Sequence, residues 1–183
     1  TAIAATSQHP ERIAGYHFFN PVPLMKVVEV IQGFNTQADV VEALTELSKK
    51  MGHRPVQAKD TPGFIINHAG RAFGSEAYAI LTENVTPFYD IDRIYRYGIG
   101  FKMGPFELGD LTGMDVSHPV SESIYHQYYE EPRYRPNVNT RQRFIAKQLG
   151  RKTGKGFYDY TTGEKVGDIA PVHTERLAEY PKV

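Results

Sequence analysis

Two side chains able to move a proton stand near the start of the chain: His17, in His17-Phe-Phe-Asn20-Pro21, and Glu29, in Met25-Lys-Val-Val-Glu29-Val-Ile. An imidazole changes charge near neutral pH, and a carboxylate beside it orients the ring and stabilises its charged form, so such a pair suits general-base work. Both residues lie in apolar runs. Residues 13–19 read as a strand, Asn20-Pro-Val-Pro23 as a corner, and residues 24–31 as a second strand rich in Val and Ile. A hairpin centred near Pro23 makes His17 and Glu29 cross-strand neighbours, whose Cβ atoms would be about 4.5–5.5 Å apart. A slip of one residue would send them to opposite faces. Buried polar groups need partners, so the two are expected to pair.

The elements that must hold this pair follow along the chain. Asn35-Thr36 is expected to cap a helix whose apolar stripe is Val40, Leu44, Leu47 and Met51, ended by Gly52. Residues 54–59 form a short extended run, so strand and helix alternate as at the end of an α/β sheet. The character changes at Asp60-Thr-Pro-Gly63. A helix is expected over 64–83, with Ile66, Ala69, Phe73, Ala77 and Ile80 on one face. Gly70 and Gly74, four apart in it, suggest close approach of a second helix. Further helices are expected at 88–97, 105–111, 117–129 and 140–149, and residues 161–183 as a tail or linker.

Composition excludes several classes. Lys plus Arg and Asp plus Glu number 21 each, giving a net charge of zero and no basic nucleic-acid footprint. The sequence has no cysteine, so disulfides, thiolate metal sites and a cysteine nucleophile are excluded. No apolar run approaches the length that crosses a bilayer, and neither a membrane nor a nucleic acid is expected as a partner. Nothing looks like a secretory signal, so the cytoplasm is the expected compartment. Thr1-Ala-Ile-Ala-Ala-Thr-Ser reads as an entry into the middle of a fold, which suggests the C-terminal piece of a longer protein.

Other motifs read as structure. The remaining six of the seven histidines show no metal-ligand spacing, and no metal is expected. Gly150-Arg-Lys-Thr-Gly154-Lys155 fails as a phosphate loop: only three residues separate its glycines, and Gly156 follows the lysine where Ser or Thr is required. In Met103-Gly-Pro-Phe-Glu-Leu108, Gly104-Pro105 is expected to start a helix packed by Phe106 and Leu108, with no chemistry for Glu107.

Five motifs stand in order: His17-Phe-Phe-Asn20-Pro21, Val27-Val-Glu29-Val30, Asp60-Thr-Pro-Gly-Phe-Ile-Ile-Asn67, Met103-Gly-Pro-Phe-Glu-Leu108 and Lys152-Thr-Gly-Lys-Gly-Phe-Tyr158. Together, over roughly residues 1–160, they resemble the NAD-dependent L-3-hydroxyacyl-CoA dehydrogenases. The resemblance implies a mostly α chain: an all-helical C-terminal dimerisation domain preceded by the last strands and helix of a truncated Rossmann-like α/β domain. The implied division is 1–60, 61–160 and 161–183. It further implies oxidation of an acyl-CoA 3-hydroxyl by NAD, with His17 as catalytic base, Glu29 as its carboxylate partner and Asn67 holding the histidine and substrate oxygen. Asn20 and Lys152 match positions that contact the nicotinamide cofactor. An acyl-CoA substrate and a homodimer are the implied partners.

The chain also departs from that family. No Gly-x-Gly-x-x-Gly stretch occurs in the 183 residues, and such a loop is what cradles a dinucleotide pyrophosphate. The chain alone is therefore expected to be catalytically silent. A non-catalytic helical dimerisation or binding module, and the reductase tail of a multifunctional acyl-CoA oxidation protein, are the competing expectations.

Overall fold

The computed structural model describes residues 1–167. The described residues fall into two compact units, the first Thr1–Arg71 and the second from Ala72 onward. The first holds a three-stranded sheet in the order β1 (Gly15–Phe18), β2 (Val27–Gln32), β3 (Arg54–Lys59). β1 and β2 run antiparallel, whereas β2 and β3 are parallel and joined through α1 (Ala38–Lys50), a βαβ crossover. Both expected strands are present but shorter, and residues 24–26 belong to the connection rather than to β2.

Because β2 lies between two strands, its residues are sealed: Val28, Glu29, Val30 and Ile31 are all buried. Side chains alternate across the sheet. Tyr16 and Phe18 share the face of α1, where the Tyr16 hydroxyl meets Ser48 Oγ at 2.7 Å. The Ser48 hydroxyl already donates to the Leu44 carbonyl, so Tyr16 is the donor in that contact. His17 and Glu29 take the opposite face.

α1 differs in detail from its expectation. Its N-cap is Gln37, not Asn35 or Thr36. Thr36 is buried instead as a loop tie, its hydroxyl donating to the Ile13 carbonyl at 2.5 Å and accepting from the Gly33 amide at 2.9 Å. The buried positions of the helix are Val41 and Ser48, and Leu47 and Met51 are exposed. The buried stripe is thus rotated by one residue, and the polar Ser48 occupies it because Tyr16 supplies a partner.

The segment that follows, 61–71, folds back on the sheet through backbone bonds to Glu29. This return groups residues 61–71 with the first unit. α2 (Ile66–Thr82) starts within that segment. Its expected face is covered only toward its end, where Ala77 is fully buried; Ile66 and Ala69 are exposed. A Cβ on Gly70 would meet nothing within 4 Å, and one on Gly74 would meet only the Tyr78 ring of the same helix. The glycine pair therefore marks no close helix contact among the described residues.

The second unit is helical: α3 (Phe88–Arg93), a π-helical turn (Ile94–Ile99), α4 (Pro105–Thr112), α5 (Met114–Gln127) and α6 (Val138–Ile145). Its core gathers Ala77, Ile91, Phe106, Met114, Phe157 and Tyr158. Gly104 and Pro105 start α4 as expected, with the Glu107 carboxylate accepting from the Gly104 amide, but Leu108 is partly exposed and does not share the packing of Phe106. Buried carboxylates tie this unit together. Asp92 accepts from the Phe106 and Glu107 amides and the Tyr158 hydroxyl, and Asp110 from the Phe157 and Tyr158 amides and the Tyr160 hydroxyl.

Residues 161–167 extend this packing rather than forming a tail. Val166 bridges Asp159, and Lys165 Nζ bonds Glu107 at 2.6 Å. The remainder of the expected tail, 168–183, lies outside the described residues.

Candidate active site

β1 and β2 pair with His17 directly opposite Glu29. The His17 Nδ1 and a Glu29 carboxylate oxygen, Oε2, are 2.7 Å apart. The Glu29 side chain is fully buried and that of His17 about one-third exposed (31%). A buried carboxylate is costly unless its oxygens are satisfied. Here the second oxygen, Oε1, accepts from the Ile65 amide at 2.9 Å and the Ile66 amide at 3.0 Å. These N–H groups belong to the start of α2, where donors lack intrahelical acceptors and negative charge is favoured.

This arrangement fixes the proton on the ring. A carboxylate only accepts, so Nδ1 must donate to Oε2, and a neutral His17 keeps its lone pair on Nε2. The ring is walled by two aromatics, Phe19 edge-on at 4.7 Å and Phe64 tilted at 5.6 Å between centroids. In its neutral form this part-buried imidazole presents the Nε2 lone pair, a geometry that can take a proton from a hydroxyl.

Asn67 is the second residue of α2, immediately after the Ile66 amide that holds Glu29, and it is half-buried. The start of one helix therefore carries both the clamp on Glu29 and the asparagine. Asn20 is exposed on the loop that leaves β1, three positions past His17. Lys152 belongs to the second unit, where its ammonium contacts both Asp115 oxygens at 2.8 and 3.1 Å. The bond from Lys152 holds the Asp115 carboxyl below its ordinary range.

The amides of Ile65 and Ile66 and the ring of Phe64 join the site beyond the residues the sequence points to. Backbone donors leave no side-chain signature. The one available signal was the Pro62-Gly63 pair just before the helix, which marks a sharp turn.

The chain joins a three-stranded α/β unit, with the His17–Glu29 pair on one face of its sheet, to a helical unit. The sequence model described as "3-hydroxyacyl-CoA dehydrogenase, NAD binding domain" matches residues 1–61. That described as "3-hydroxyacyl-CoA dehydrogenase, C-terminal domain" matches residues 63–160. The chain belongs to the 3-hydroxyacyl-CoA dehydrogenase family.

Among curated relatives, the 3-hydroxyadipyl-CoA dehydrogenase of Escherichia coli (strain K12) is 47% identical over 160 residues, covering 87% of this chain and 34% of that protein. The mitochondrial hydroxyacyl-coenzyme A dehydrogenase of Homo sapiens is 39% identical, covering 87% of this chain and 51% of that protein. The crystal structure of a 3-hydroxybutyryl-CoA dehydrogenase from Escherichia coli K12 aligns with a TM-score of 0.86 at 44% identity, over 94% of this chain and 35% of that one. The chain thus spans between about a third and a half of the length of these relatives.

Proposed function

We propose that the complete protein oxidises the 3-hydroxyl of an (S)-3-hydroxyacyl-CoA to the ketone, using NAD. His17 Nε2 removes the hydroxyl proton, and Glu29 Oε2 holds the ring and stabilises the imidazolium as it forms. Asn67, at the start of α2, orients the histidine and the substrate oxygen. The observation that carries this reading is the 2.7 Å contact of His17 with a Glu29 whose other oxygen is held by two backbone amides. NAD, when bound, supplies the hydride acceptor.

The residues present fit only one end of that cofactor. Asn20, exposed on the loop beyond His17, is proposed as a nicotinamide contact, and Lys152 as a further cofactor contact. No Gly-x-Gly-x-x-Gly cradle for the pyrophosphate occurs in the 183 residues. The chain alone is accordingly expected to be silent, and the complete protein active. Incubation with NAD and (S)-3-hydroxyacyl-CoA, followed by NADH absorbance, tests both: NADH formed by the 183-residue chain alone would overturn the expectation of silence, and none formed by the complete protein would overturn the activity.

The helical unit is proposed to carry the homodimer contact. Its π-helical turn exposes Ile94, Tyr97 and Ile99, with Phe101 just beyond, and contiguous exposed apolar side chains are a feature of interaction surfaces. A longer, multifunctional parent remains the second reading, supported by the small share of the Escherichia coli relative that the chain covers. The cytoplasm remains the proposed compartment. Among the described residues, no helix is long and apolar enough to cross a membrane.

A further inference from the structure

We infer that Phe64 is a positioning residue for the His17–Glu29 pair, acting through the left-handed turn it forms with Gly63. The inference rests on the reading of that pair as a base. Gly63 and Phe64 both take positive φ, +80° and +49°. Glycine does so freely, but an L-side chain brings its Cβ against the following carbonyl. A bulky residue stays there only where its surroundings hold it, and such positions gather at functional sites.

What the turn achieves is visible one residue later. It is closed by the Phe64 amide donating to the Thr61 carbonyl at 2.8 Å, and the Gly63 carbonyl accepts from the His68 amide at 2.9 Å. So held, the backbone aims the Ile65 and Ile66 amides at the same oxygen of Glu29. The Phe64 ring meanwhile lies 5.6 Å from the imidazole. One residue thus supplies the turn that fixes the carboxylate and a wall for the ring it faces. With Oε1 held by two donors, the carboxylate cannot swing to share both oxygens with the imidazole. Oε2 stays at Nδ1, and Nε2 stays free to accept a proton.

Phe64→Gly and Phe64→Ala remove the same ring, but only glycine accepts positive φ without penalty. In the 183-residue chain, amide exchange at Ile65 and Ile66 is read against Val28 and Val30 of β2 in the same sample, and ring 15N shifts of His17 report which nitrogen carries the proton. The glycine variant should keep both amides as protected as in the parent chain and hold the proton on Nδ1. The alanine variant should exchange them about tenfold faster, with a mixed tautomer. Equal exchange in the two variants, or an unmixed Nδ1–H tautomer in the alanine variant, overturns the inference. Should alanine also strip protection from β2, Phe64→Asn decides, because asparagine tolerates the left-handed region: retained protection supports the inference and lost protection overturns it. None of these readings depends on turnover, so they separate failure of the positioning role from failure of His17 as the base.

Discussion

At the residue scale, the oxygen atoms of Glu29 have distinct duties. Oε1 accepts from the Ile65 and Ile66 N–H groups, and Oε2 faces Nδ1 of His17. A glutamine at this position must place its carbonyl toward the Ile65 and Ile66 amides, because an NH2 group there would confront two donors. Its NH2 then donates to Nδ1, which moves the ring proton to Nε2 and removes the base. Glu29→Gln in the complete protein should therefore lower kcat by about 10²-fold or more, within the range that general bases contribute, with the KM for acyl-CoA little changed. A kcat within about threefold of the parent, by initial-rate kinetics, would mean that the pair does not set the tautomer. His17 and Glu29 were legible in the sequence because their numbers are symmetric about the proline corner. Their direct pairing in the ladder agrees with that reading.

At the element scale, the strands were readable from β-branched runs, and the helices from period and punctuation. The details that failed are those decided by neighbours in space. Thr36 resembled a cap but was recruited by Ile13 and Gly33, and Ser48 entered a buried stripe because Tyr16 reaches it. The helix expected over 88–97 instead gives way to a π-helical turn at Ile94–Ile99, where Tyr95 and Phe101 both pack edge-on against Phe73. That turn leaves Tyr97 three-quarters exposed (75%). If this surface is the dimer contact, Tyr97→Glu should introduce an unpaired charge into it and shift the protein toward monomer. Sedimentation equilibrium would show the shift; an unchanged mass would place the contact elsewhere.

At the scale of the whole molecule, the helical unit stands on buried carboxylates that the sequence did not reveal, since a lone Asp in a helix gives no sign of the donors it will meet. Burial pushes the Asp92 carboxyl up to about 6, against the opposing pull of the Phe106 amide, the Tyr158 hydroxyl and the Glu107 amide. The folded state therefore holds this proton more tightly than the unfolded chain, whose value is near 3.8. The associated stability is present below that value and is lost as pH rises through about 6. Asp92→Asn removes this titration, and its single oxygen cannot serve both backbone amides. The variant should lose about 1–3 kcal/mol, and the loss should be larger by about 1 kcal/mol at pH 5 than at pH 7. Urea denaturation at the two pH values checks this, and a pH-independent difference would remove Asp92 as the source.

The central claim remains the proton taken by His17. His17→Ala in the complete protein should lower kcat for (S)-3-hydroxyacyl-CoA oxidation by about 10²–10⁴-fold while NAD affinity, read by fluorescence titration, stays close to the parent value. Turnover left intact in that variant would contradict the account.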